Sequence, residues 1–136
     1  MKFFATLATL ALAGLAAAQS ANFGLPAENV ELKAGSETIV QIQRPNTLTS
    51  STEIGVAIGL STLDEPADEV FGTVLHTGPF EPKYHESRSP PYQNFTVTIP
   101  EGTKKGKAHL TIAHATLIGA GPYPDLQTLN RTVTIV

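Results

Sequence analysis

The sequence contains no cysteine and no tryptophan, and its formal charge is −3. Without cysteine, the disulfide framework common in small secreted domains is excluded, so packing alone holds the fold, and that fold would survive a reducing compartment. Without tryptophan, a carbohydrate-binding row of aromatics has only Tyr84, Tyr92 and Tyr123 to draw on. Helical periodicity is missing too: no window places apolar residues three and four apart over several turns. Loss of a leader carrying Lys2 takes the charge to −4. That acidity argues against nucleic acid and anionic membrane as partners.

Long apolar runs are confined to the first residues, MKFFATLATLALAGLAAAQS. Lys2 precedes an apolar, small-residue stretch, and Ala16 and Ala18 supply the small side chains a signal peptidase requires. Residues 1–18 read as a secretory signal peptide and residues 19–136 as the mature chain, with Gln19 at its terminus. A chain of that length makes one domain with one core. No second apolar run reaches membrane length, and NRTVTIV lacks the spacer and tail of a lipid-anchor signal. The expected product is secreted, extracellular and not inserted into a membrane.

What recurs along the mature chain is period-two alternation in short runs bounded by Gly, Pro, Asn and Ser. In TEIGVAIGL, Ile54, Val56, Ile58 and Leu60 are expected on one face, and Glu53, Gly55, Ala57 and Gly59 on the other. In NFTVTIP the core residues are Phe95, Val97 and Ile99; in LNRTVTIV they are Leu129, Val133 and Ile135. Both acceptor sequons, Asn94-Phe95-Thr96 and Asn130-Arg131-Thr132, then place their asparagines toward solvent, where glycans could attach. Further strands are expected around Val30 and Leu32, through ETIVQIQ, from about Val70 to His76, and through KAHLTIAHATL, which is apolar on both parities as a central strand should be. About seven short strands and no helix describe an all-β protein, a single immunoglobulin- or fibronectin-like antiparallel β-sandwich, with an up-and-down barrel as the alternative.

Candidate chemistry concentrates in FEPKYHESRSPPY, Phe80 to Tyr92. His85, Glu86, Ser87 and Ser89 invite a hydrolase reading, but a triad is assembled from separated segments and no G-x-S-x-G elbow is present. Prolines 82, 90 and 91 stiffen the segment, and Tyr84 and Tyr92 give it rigid aromatic surface, which suits recognition. The histidines (76, 85, 109 and 114) show no H-x-H or H-E-x-x-H spacing, and His109 and His114 should occupy opposite faces of one strand. His109 is expected exposed beside Lys107 and Thr111, and His114 half-buried. LDEPADE gathers Asp64, Glu65, Asp68 and Glu69 without a calcium-loop pattern. GAGPYPD reads as the turn entering the last strand, with Tyr123 exposed. No metal or cofactor site is expected. The small residues Gly55, Ala57 and Gly59 read either as packing beneath a neighbour or as a smooth strip that a partner approaches closely.

Taken together, KAGSETIVQIQRP, a strand ending in IGL, IPEGTKKGKAHLTIAHATLIGAGPYPDL and a closing NRTVTIV resemble the necrosis-inducing secreted protein family of fungal effectors. The segment YHESRSPPYQNF is similar to a basidiomycete branch. The resemblance implies a non-enzymatic secreted protein that dampens plant pattern-triggered immunity by associating with immune receptor-like kinases and their cytoplasmic kinase partners; some members provoke cell death. It implies no catalytic residue, and it allows for uptake into the host cytoplasm. The expected contact residues are Tyr84, His85, Arg88 and Tyr92 in the proline-rich loop, Tyr123 in the last turn, and Gly55 and Gly59 on the strip. The alternative is a secreted cell-wall or carbohydrate-binding module. It gains if the three tyrosines share a plane and loses if they scatter. An enzyme ranks third and needs a convergent His–carboxylate–Ser cluster.

Overall fold

The computed structural model describes residues 20–46, 50–64 and 70–136; residues 1–18, expected to be a signal peptide, and Glu65, Asp68 and Glu69 of the acidic run lie outside the described residues. No helix occurs among the described residues. Eight strands are formed: β1 (Asn22–Leu25), β2 (Glu31–Leu32), β3 (Glu37–Gln43), β4 (Ser51–Thr62), β5 (Thr73–Gly78), β6 (Tyr92–Thr98), β7 (Gly106–Ile118) and β8 (Tyr123–Ile135). They make a three-stranded sheet in the order β1-β3-β6 and a five-stranded sheet in the order β2-β8-β7-β4-β5.

The fold is therefore all-β with two sheets, as the alternation required. The sheets enclose one core: Val40, Ile42, Phe95 and Val97 from the smaller sheet meet Val56, Ile58, Leu60, Leu110, Ile112, Val133 and Ile135 from the larger. Burying a side chain of this size contributes about 1.5–3 kcal/mol, which makes strict alternation a strong determinant of register. Between β7 and β8 the ladder is unbroken from Gly106↔Ile135 to Ile118↔Tyr123, so the turn is only Gly119 to Pro122, and Tyr123, Pro124 and Asp125 already belong to the strand. Pro124 is tolerated there because β2 pairs only with Thr134 and Ile135, leaving this half of β8 with an unpaired side.

Four expectations are corrected. β1 has no counterpart among the expected strands: its one large core residue, Phe23, lies beneath the Arg131 guanidinium at 5.0 Å, a tertiary contact with no local signal. The β2–β8 pair is parallel, so the fold is not a purely antiparallel seven-strand sandwich. The strand expected from Val70 to His76 begins only at Thr73, because Gly72 takes φ 77° and an added Cβ there would stand 2.2 Å from the Leu60 carbonyl oxygen. Finally, the alternation of TEIGVAIGL breaks near its start. The β4–β7 register slips between Glu53 and Gly55, leaving Ile54 as the extra residue of a bulge, 55% exposed instead of in the core.

Candidate functional site

Beside that bulge a polar cluster reaches into the core from one end of the molecule. Parity along β3 points Val40, Ile42 and then Arg44 inward, and parity along β7 does the same for Leu110, Ile112 and His114. The bulge turns Glu53 to meet them. Arg44 Nε donates to Glu53 Oε1 at 2.9 Å, and His114 Nε2 hydrogen-bonds Glu53 Oε2. Arg44 and His114 are buried, at 5% and 1% exposure, while Glu53 retains 15%. Burial alone would push the Glu53 carboxyl up. The hydrogen bonds from His114 and Arg44, reinforced by their charge, outweigh it and hold the group below its ordinary value. An ionised carboxylate only accepts, so Nε2 is the protonated nitrogen of His114.

Phe80 caps this cluster. It is buried, meets the His114 ring edge-on at 5.4 Å, and lies 6.3 Å from the Phe95 ring, which in turn touches His76 at 4.8 Å. From this anchor the proline-rich segment loops outward and returns. Lys83 and Tyr92 exchange backbone hydrogen bonds of 3.1 and 3.0 Å, and the Pro91 carbonyl accepts from Arg44 N at 2.8 Å. The His85 ring stacks on Tyr92, with centroids 4.0 Å apart and planes at 16°. Ser89 Oγ donates to Glu86 Oε2 at 2.9 Å, and neither loop serine hydrogen-bonds to His85. The segment is thus a tied-down loop with an exposed tip.

Strand ends bring three segments to the same place. Gln43 of β3 pairs with Tyr92, Ser51 of β4 pairs with Ile118, and Ile118 pairs with Tyr123. Asn46 Nδ2 donates to the Tyr84 hydroxyl, and Gly119 N donates to the Ser50 carbonyl at 2.8 Å. A cleft of about 420 Å³ opens here, lined by Arg44, Asn46, Glu53, Phe80, Glu81 and Tyr84 among others. A larger recess of about 650 Å³, lined by Leu25, Pro26, Val30, Glu37 and Ile39, is mostly apolar and belongs to the three-stranded sheet, away from this cluster.

Of the residues expected to make contacts, Tyr84, His85, Arg88, Tyr92 and Tyr123 gather at this end. Tyr84 and Tyr123 are 60% and 54% exposed, whereas one face of Tyr92 is taken by His85. The tyrosines do not scatter to opposite ends. The glycine strip is corrected: Gly59 is buried beneath Phe71, whose carbonyl oxygen would lie 2.5 Å from an added Cβ, and Gly55 faces the Gly78 carbonyl. It is packing, not open surface. His114 is fully buried instead of half-buried, and Thr111 is buried, while His109 is half-buried on the opposite face of β7. Asn94 and Asn130 are both exposed. Among the described residues no group of three His, Asp or Glu side chains converges on a common point. Glu53 and Arg44 are the site residues that sequence reasoning misses, since simple alternation assigns Glu53 to solvent and Arg44 lies just past the expected strand ETIVQIQ, beside Pro45.

Residues 16–134 match the model of the Nis1 family. The chain is 33% identical over 135 residues to Necrosis-inducing secreted protein 1 of Colletotrichum higginsianum (strain IMI 349063), spanning 99% of this chain and 91% of that protein. Among solved structures it is similar to a superoxide reductase (neelaredoxin) from Ignicoccus hospitalis, with TM-score 0.55 and 12% identity over 87% of this chain and 81% of that one. A second superoxide reductase structure from the same organism gives TM-score 0.54, also at 12% identity, over 86% and 80%. At that identity the likeness is one of fold alone.

Proposed function

The chain belongs to the Nis1 family of necrosis-inducing secreted proteins, and from that premise we propose a non-enzymatic effector that binds plant immune receptor-like kinases and suppresses pattern-triggered immunity. Its relative is named a secreted protein, which supports an extracellular destination; entry into the host cytoplasm is part of the proposal. One observation carries the contact reading. Tyr84, Arg88 and Tyr123 are exposed on segments tied together at a single end, over an anchored loop. Tyrosine and arginine dominate the energetics of protein interfaces, and a loop already held in place loses little entropy on binding. The Arg44–Glu53–His114 cluster acts beneath it as a support for the cleft wall, not as reacting groups.

The test is the elicitor-induced oxidative burst in leaf tissue expressing the full chain, compared with an unrelated secreted β-sandwich domain. A suppressed burst supports the proposal. A normal burst, with the protein shown to accumulate, refutes it.

A second reading, a carbohydrate-binding module, is favoured by the shared location of the exposed Tyr84 and Tyr123 rings. Co-sedimentation with insoluble glucan or chitin that is lost in Tyr84→Ala would support it.

A further inference from the structure

We propose that Asn94 and Asn130 both carry N-linked glycans, one on the outer face of each sheet. Asn94 lies on β6 and Asn130 on β8, so the two sites belong to different sheets. Both sequons sit within strands, where the middle residue points inward: Phe95 is in the core, and Arg131 reaches the Phe23 carbonyl at 3.1 Å. Alternation therefore places each asparagine and its sequon threonine, Thr96 or Thr132, on the same outer face.

The amides are also suitably held. Asn94 Oδ1 accepts from Gln41 Nε2 at 3.1 Å, and Asn130 Oδ1 accepts from Thr111 Oγ1 at 2.9 Å. Each carbonyl oxygen is engaged by its cross-strand neighbour, and among the described residues neither Nδ2 makes a hydrogen bond. Nδ2 is the atom that bears the sugar. Transfer forms a bond from Nδ2 to the anomeric carbon of a lipid-pyrophosphate-linked oligosaccharide, breaks that carbon's bond to the pyrophosphate oxygen, and releases one amide proton. The folded protein then accommodates the product without losing either Oδ1 hydrogen bond.

The consequence is steric. A glycan is bulky and solubilising, and β6 is an edge strand, so a glycan on Asn94 also obstructs edge-to-edge pairing with another chain. Asn94 shares a shallow pocket with Lys83, His85 and Tyr92, so its glycan stands beside the base of the proline-rich loop, whereas Asn130 lies mid-strand opposite Thr111. This inference does not depend on the receptor reading, and its readout is mass, not immunity.

The full chain is secreted from yeast, and the medium protein is weighed intact before and after N-glycosidase treatment. Two glycans are expected, with Asn94 and Asn130 each converted to aspartate in peptide maps of the treated wild-type protein. Asn94→Gln and Asn130→Gln should each remove one glycan, while Thr96→Ser should retain both. Because the peptide map uses the wild-type chain, a variant that fails to fold does not blunt the test. Secreted protein of unmodified mass, or with one site bare, overturns the proposal.

Discussion

His114 Nε2 donates to the Glu53 carboxylate across 61 positions of sequence, and one bulged residue, Ile54, is what turns the two side chains toward each other. The same carboxylate accepts from Arg44, so a single anion bridges two buried nitrogenous side chains from opposing sheets. Glu53→Gln removes that anion and leaves Arg44 and His114 buried with a neutral amide. Stability should fall by on the order of 3 kcal/mol, measured by urea denaturation. A loss under about 0.5 kcal/mol would show that the cluster does not hold the sheets together.

Acid should act on the same group. The native Glu53 carboxyl lies below its ordinary value of 4.5, so its contribution is fully present above that pH and is lost as the pH falls through the depressed native value. Wild type and Glu53→Gln should therefore differ most near neutrality and converge on acidification below about pH 4.5. Thermal midpoints from pH 7 down to pH 3 would show this. A constant gap across the range would contradict the ionised assignment.

Phe80 joins core to loop, touching His114 and Phe95 at its base. Phe80→Ala should cost about 3–5 kcal/mol and expose the following segment to proteolysis. Limited digestion with mass mapping would locate the cuts. Cuts spread evenly along the chain would argue that the residue stabilises the fold without anchoring the loop.

At Gly59, an added methyl group would stand 2.5 Å from the Phe71 ring and carbonyl oxygen, whereas at Gly102 nothing lies within 4 Å. Gly59→Ala should lose about 1–3 kcal/mol. Gly102→Ala should change stability by no more than about 0.5 kcal/mol. Equal melting temperatures for the two variants would return the glycine strip to the surface.

His85→Asn creates a new sequon, with Glu86 and Ser87 following, at the exposed tip of the loop. A glycan there should abolish suppression of the oxidative burst while leaving the thermal midpoint near that of wild type. Undiminished suppression by a protein shown to carry the extra glycan would move the contact surface elsewhere.

Alternation alone determined the all-β class, the inward faces of β3, β6 and β7, and the outward asparagines of both sequons, because a period of two admits one register when one face is buried. Part of the site continues the same parity, but Arg44 lies past the expected strand ETIVQIQ and only the structure shows both Arg44 and His114 buried; two such groups demand an anion nearby. Which anion was decided only in three dimensions. A bulge reverses parity at a single residue, and nothing in TEIG marks Ile54 as the one expelled. The short β1 strand was likewise hidden, since four residues carry too little pattern and owe their place to Arg131 over Phe23. β2 falls where a strand around Val30 and Leu32 is expected, but its parallel pairing with the end of β8 has no local signal. Residue by residue, alternation decides which faces are wet and which are dry. Convergence of distant loops at one end depends on how strand ends align across two sheets, and that is a property of the assembled fold.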